Sequence, residues 1–116
     1  MATLTSHTLN SVDGSHAGGI AVELIEIAND GTRKSIFSDN TDEGGRLSRD
    51  INSPDDSAIY ELVFRTGEYF EALLIPRDGP QISNEVVIRF EMKDPDGSYH
   101  IPLMLSPNSY SVWWSS

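Results

Sequence analysis

The chain has no cysteine. That absence excludes a disulfide framework, a thiolate zinc site and a cysteine nucleophile. It fits an intracellular protein, and a cytoplasmic location is the expectation. Basic residues are scarce: 8 Lys and Arg stand against 18 Asp and Glu, a net charge of −10. Phosphate contacts need basic patches, so nucleic acid is not an expected partner. The acidic surplus reads as solubility. An anionic ligand would have to be met by a local cluster of Arg or His. No apolar run approaches the ~20 residues of a membrane span, so no membrane partner is expected either. The N-terminus lacks a basic segment followed by an apolar one, which argues against a signal peptide. A peroxisomal location is the alternative, but Trp114-Ser115-Ser116 is a poor address for it. Internal repeats and low-complexity segments are absent.

What is present is a chain of 116 residues, 38% hydrophobic, enough for one domain over 1–116 with a single core. Leu4 to Asn10 reads as a short strand, and Asp13 to Gly19 as a turn region. Ile20 to Ile27 is a second strand. Its apolar parity shifts from Ile20, Val22 and Leu24 to Ile25 and Ile27, the sign of twist or a bulge. Arg33 to Ser38 is a weak strand, Asn40 to Arg46 a loop with two glycines, and residues 47–57 are polar and poorly patterned. Ala58 to Arg65 alternates with Tyr60, Leu62 and Phe64 inward. A short helix follows, with Thr66 as its cap and Tyr69, Phe70, Leu73 and Leu74 as its buried stripe. Glu85 to Met92 is the cleanest strand: Val86, Ile88, Phe90 and Met92 share one face. Seven or eight strands with a turn every ~8–12 residues indicate an all-β fold, an antiparallel β-sandwich.

The C-terminal stretch is the most informative. Tyr99-His-Ile-Pro-Leu-Met-Leu105 and Ser109 to Ser115 form two strands around a turn at Ser106-Pro107-Asn108. Side chains alternate along a strand. Tyr99, Ile101, Leu103 and Leu105 therefore face a core, while His100, Pro102 and Met104 face outward. Trp113 shares the parity of Ser111, and Trp114 that of Val112.

His100-Ile-Pro-Leu-Met-Leu-Ser-Pro107 followed by Ser109-Tyr-Ser111 resembles the C-terminal hairpin of the transthyretin-like family, whose enzyme branch is 5-hydroxyisourate hydrolase. Leu4-Thr-Ser-His-Thr-Leu-Asn10 resembles that family's opening Leu-Thr-Thr-His-Val-Leu-Asp, and Asn40 to Arg46 its Thr-Asn-x-Asp-Gly-Arg loop. Leu62 to Phe70 is similar to its strand-to-helix segment. The resemblance runs from Leu4 to Ser116. It implies two four-stranded sheets with one short helix, and a homotetramer, a dimer of dimers, with the active sites in a central channel. It also implies a small-molecule substrate and no cofactor.

By the same resemblance, His7, Arg46, His100 and Ser116 carry the catalytic roles. Trp113, Trp114, Ser111 and Pro102 would line the substrate site. These residue types suit hydrolytic opening of a urate-derived ring. A His near its ordinary pKa of ~6.5 can take a proton from water at neutral pH. Arg can hold ring oxygens and stabilise the charge that develops on attack. The second His can order the water or protonate the leaving nitrogen, and either His can be the base. Two His without a paired carboxylate make a thin metal site. His16, in a turn where the family more often has Pro, reads as a surface residue.

The end departs from the pattern. Hydrolases of the family finish Tyr-Arg-Gly-Ser; here Trp113-Trp114-Ser115-Ser116 stands instead. One outcome is an intact hydroxyisourate hydrolase with a tolerant terminus. A second is a cavity repurposed for another small molecule. A third is a non-catalytic carrier.

Overall fold

The computed structural model describes residues 1–74, 76 and 79–114. Its elements in order are β1 (Ala2–Asn10), β2 (Ala21–Ile27), β3 (Arg33–Asn40), β4 (Arg46–Ile51), β5 (Ile59–Phe64), α1 (Thr66–Leu73), β6 (Val86–Phe90), β7 (Ser98–Ser106) and β8 (Ser109–Val112). They make two four-stranded sheets, ordered β4-β1-β7-β8 and β3-β2-β5-β6. The sheets face each other across one cluster of apolar side chains that includes Leu4, Leu24, Tyr60, Leu62, Phe64, Leu103 and Leu105. No helix among the described residues is long and apolar enough to cross a membrane.

The two-residue period accounts for most of this. Along β1, Ala2, Leu4, Ser6, Thr8 and Asn10 are buried and the odd positions face outward. The buried polar members are satisfied: Ser6 Oγ donates to Ile101 O at 2.7 Å, and Thr8 Oγ1 to Ala17 O at 2.7 Å. The parity shift in β2 is a real irregularity, for its register against β3 slips between Leu24 and Ile25.

Four expectations need correction. The sandwich is antiparallel at every strand pair but one: β1 and β7 run parallel, with Thr5 opposite His100 and His7 opposite Pro102. The polar stretch after Arg46 contains a full strand. Leu47 and Ile51 are buried, and between them Arg49 lays its guanidinium over the Phe37 ring, 4.5 Å from the centroid. An arginine in an inward position hid the alternation. Of the helix's expected apolar stripe only Phe70 is fully buried, while Leu73 and Leu74 are 42% and 85% exposed. Its N-terminus carries no side-chain cap; Thr66 lies inside the helix, and Gly67 N–H donates instead to Asn84 O at 3.0 Å.

The β7–β8 turn is tied to the segment before β6. Asn108 Oδ1 accepts from the Ile82 and Ser83 amides at 2.8 and 3.0 Å, and its amide donates to Pro80 O at 3.0 Å.

Candidate functional site

Six of the candidate residues lie on one surface because the register puts them there. His7 on β1 pairs directly with Arg46 on β4 and with Pro102 on β7. Trp113 N–H reaches Pro102 O at 3.4 Å, so the row Arg46, His7, Pro102, Trp113 crosses the whole first sheet. One step along β1 on the same face, Thr5 pairs with Ser48 and with His100. Ser111, opposite Met104, lies on that face farther toward the hairpin turn. Residues distant in sequence thus become neighbours on the outward side of one sheet.

The face is polar and open. Arg46 is exposed, His7 and His100 are half-buried, and Pro102 is buried. Trp113 and Trp114 are 47% and 64% exposed, so Trp114 is mostly free of the chain's own core. Ser116 and Ser115 lie outside the described residues.

Each imidazole has a defined anchor. His100 Nδ1 is 2.8 Å from Thr5 Oγ1. His7 Nε2 is 3.0 Å from the carbonyl oxygen of Gly44. That carbonyl is within reach because Gly45 presses the loop onto β1: Thr8 N–H donates to Gly45 O at 2.8 Å. Gly45 has φ +75°, and a Cβ there would collide with Thr8 O. Burial lowers the pKa of His7, and Arg46, His16 and His100 add to the effect against the opposing Gly44 hydrogen bond. His7 is therefore a neutral base at neutral pH.

Arg46 stands apart electrostatically. Among the described residues Arg33, Arg49, Arg65 and Arg89 each lie within 4.0 Å of a carboxylate, and Arg46 does not. The nearby Asp42 is occupied otherwise, its Oδ1 accepting from the Gly44 and Arg46 backbone amides at 3.0 and 2.9 Å. In a chain of net charge −10, a guanidinium with no carboxylate within 4.0 Å among the described residues, beside a neutral imidazole, can attract something anionic or polarised.

The HIUase/transthyretin family profile matches residues 4–114. The chain belongs to this family. It is 33% identical to the 5-hydroxyisourate hydrolase of Pseudomonas aeruginosa, over all of this chain and 93% of that one. It is 36% identical to a probable 5-hydroxyisourate hydrolase of Caenorhabditis elegans, over 99% and 82%. A solved (S)-allantoin synthase superposes with TM-score 0.80 at 25% identity, over 99% of this chain and 44% of that longer one. The Klebsiella pneumoniae 5-hydroxyisourate hydrolase superposes with TM-score 0.78 at 23% identity, over the full length of both, and shares the fold.

Sequence reasoning missed three contacts of this candidate site. Thr5, the partner of His100, carries no signal beyond its register. The Gly44 carbonyl was concealed in the Glu43-Gly44-Gly45 loop. His16 is exposed, in keeping with its reading as a surface residue, but its Nδ1 is also 2.9 Å from His7 Nε2. Only the backbone return from β1 reveals that contact.

Proposed function

We propose that this protein is a 5-hydroxyisourate hydrolase, opening the ring of its substrate with water. The observation that carries the reading is Arg46, with no carboxylate partner among the described residues, beside the neutral His7 and on the face where His100 also lies. Hydrolase relatives at 30–36% identity along nearly the whole chain support it.

The chemistry follows from the groups. His7 takes a proton from water as the oxygen attacks a ring carbonyl. Arg46 holds the oxygen on which negative charge grows, the step where a fixed cation contributes most. His100, anchored by Thr5, delivers a proton to the nitrogen as the carbon–nitrogen bond breaks. The C-terminal Ser116 would complete the polar wall, with Pro102, Ser111 and the two tryptophans as its apolar and hydroxyl lining.

An open sheet face does not exclude water by itself, and this reading includes a homotetramer, a dimer of dimers, in which a second copy covers the site. Tyr110, Val112, Trp113 and Trp114 at the β8 edge are 38–64% exposed, an apolar edge suited to such cover. A cytoplasmic location accords with the chemistry. Light scattering at micromolar concentration should give about four chain masses; a monomer mass would remove the shared channel.

The second reading, a site turned to another small molecule, is favoured by Trp113-Trp114-Ser115 in place of Tyr-Arg-Gly. Losing one charged hydrogen bond should weaken binding by ~1.5–3 kcal/mol. The deciding experiment follows the absorbance decay of freshly generated hydroxyisourate with the wild type and with the Trp113→Tyr/Trp114→Arg/Ser115→Gly variant. A fast wild type upholds hydroxyisourate as substrate. An inert wild type beside an active variant means a repurposed site.

A further inference from the structure

Residues 15–17 turn back along β1 where β4 ends. Asn10 N–H donates to Ser15 O at 2.8 Å and Ala17 N–H to Thr8 O at 2.9 Å, and an antiparallel bridge pairs Leu9 with His16. Leu9 and His7 share the outward face, so the bridge brings His16 to that face as well. The His7 and His16 rings stack with centroids 5.0 Å apart and planes inclined by 27°. His16 Nδ1 lies 2.9 Å, and Gly44 O 3.0 Å, from the same His7 nitrogen, Nε2.

Donor and acceptor chemistry allows one arrangement of hydrogens. A carbonyl oxygen only accepts, so His7 Nε2 carries a hydrogen. His16 Nδ1 must then present a lone pair, and the His16 hydrogen sits on its own Nε2. His7 Nδ1 is left bare when the ring is neutral, and it has no hydrogen-bond partner among the described residues.

We propose that His16 is a positioning residue for His7: its Nδ1 lone pair and stacked ring, with the Gly44 carbonyl, clamp His7 as the Nε2–H tautomer and leave Nδ1 as the nitrogen that takes the proton from water. The effect on turnover rests on the hydrolase reading above; the tautomer does not. The clamp is also sensitive to protons. A hydrogen on His16 Nδ1 would face the hydrogen on His7 Nε2, two donors with no acceptor between them, and the pair opens. Arg46 and His100 act on His7 from the flanking strands, and Asp42, Glu43 and Tyr69 line the hollow beside His16. The position is distinctive, since the resemblance places Pro there more often.

Two variants separate the contributions. His16→Asn keeps an acceptor oxygen near the place of Nδ1 but does not ionise; His16→Phe keeps a ring and removes the acceptor. Long-range proton–nitrogen NMR correlation of the full chain reads the His7 tautomer in each. The expected result is a bare Nδ1 in the wild type and His16→Asn, and averaged tautomers in His16→Phe. With hydroxyisourate, His16→Phe should lose about tenfold in kcat with KM little changed, the scale of a misaligned catalytic group. His16→Asn should restore kcat to within about threefold of the wild type. Its acid limb of log kcat/KM against pH should differ from the wild-type limb, because Asn cannot take up a proton that would face the His7 Nε2 hydrogen. A wild-type His7 carrying its hydrogen on Nδ1, or identical His7 spectra and pH profiles in all three proteins, would overturn the proposal. If the wild type does not hydrolyse hydroxyisourate, the hydrolase reading fails and the spectra still decide the clamp.

Discussion

The two outer faces of the sandwich are built from the same strand geometry and treat charge in opposite ways. On the β3-β2-β5-β6 sheet, Glu61 is the hub of a closed ion cluster, with Arg33 Nη2 at 2.7 Å and Arg89 Nη2 at 2.8 Å. These two arginines hold the Glu61 carboxyl below its usual range. Arg65 at the end of that sheet is matched by Glu85 at 2.7 Å. On the β4-β1-β7-β8 sheet, Arg46 has no carboxylate partner among the described residues; His7 lies beside it, and His100 stands on the same face two strands away. Cross-strand neighbours of opposite charge cancel one another on the first face and support the fold. On the second, no carboxylate among the described residues lies within 4.0 Å of Arg46, an arrangement that contributes little to stability and fits a ligand.

The sharpest way to break this contrast is to truncate the second face. His7→Ala, Arg46→Ala and His100→Ala should each cost at least ~10²-fold in kcat/KM on hydroxyisourate. Their melting temperatures should stay near the wild-type value, since all three side chains stand outside the core. Normal turnover in all three would dissolve the distinction between the faces.

The reciprocal change comes next in size. Glu61→Ala leaves two arginines without their shared partner. Because the Arg33 and Arg89 side chains are 52% and 66% exposed and screened by water, the expected loss is about 1–2 kcal/mol of unfolding free energy, read from urea melts, with kcat/KM unaffected. The sign with pH is fixed: the folded pKa of Glu61 lies below its ordinary 4.5, so its stabilisation is present above that value and disappears as pH falls through the lower folded one. Tyr60→Phe should cost about 1 kcal/mol, since the hydroxyl donates to Glu26 Oε2 at 2.7 Å and accepts from Asp55 N–H at 2.8 Å. Burial, then the Glu26 hydrogen bond, push the phenol up to about 12 against the opposing effect of the Asp55 amide.

The smallest effect is a displacement along the pH axis. Arg46 is among the groups that lower the His7 pKa. Arg46→Gln should therefore raise it and move the acid limb of kcat/KM to higher pH, checked by the residual activity between pH 5 and 7. An acid limb left in place would mean that another group titrates.

Strand alternation made the core legible in advance wherever a strand has one apolar side, as in Val86–Phe90 and Ser98–Ser106. It failed at Arg46–Ile51, where Arg49 faces inward over Phe37, and at the parallel meeting of β1 and β7, which joins two strands far apart in the chain. At the site, parity placed His100, Pro102 and Trp113 on an outward face, and the family motif singled out His7 and Arg46. Neither could supply the pairing of His7 with Arg46 across strands. His16 was out of reach for the same reason: its contact depends on a backbone return held by Ser15 and Ala17, not on any local pattern.

The contrast between the two faces is tested most directly by the decay of freshly generated hydroxyisourate, followed by absorbance with the wild type, Arg46→Ala and Glu61→Ala at equal concentration. The account predicts fast decay with the wild type and Glu61→Ala, and decay at least ~10²-fold slower with Arg46→Ala. Equal rates with Arg46→Ala and the wild type, or a wild type no faster than buffer, would contradict it.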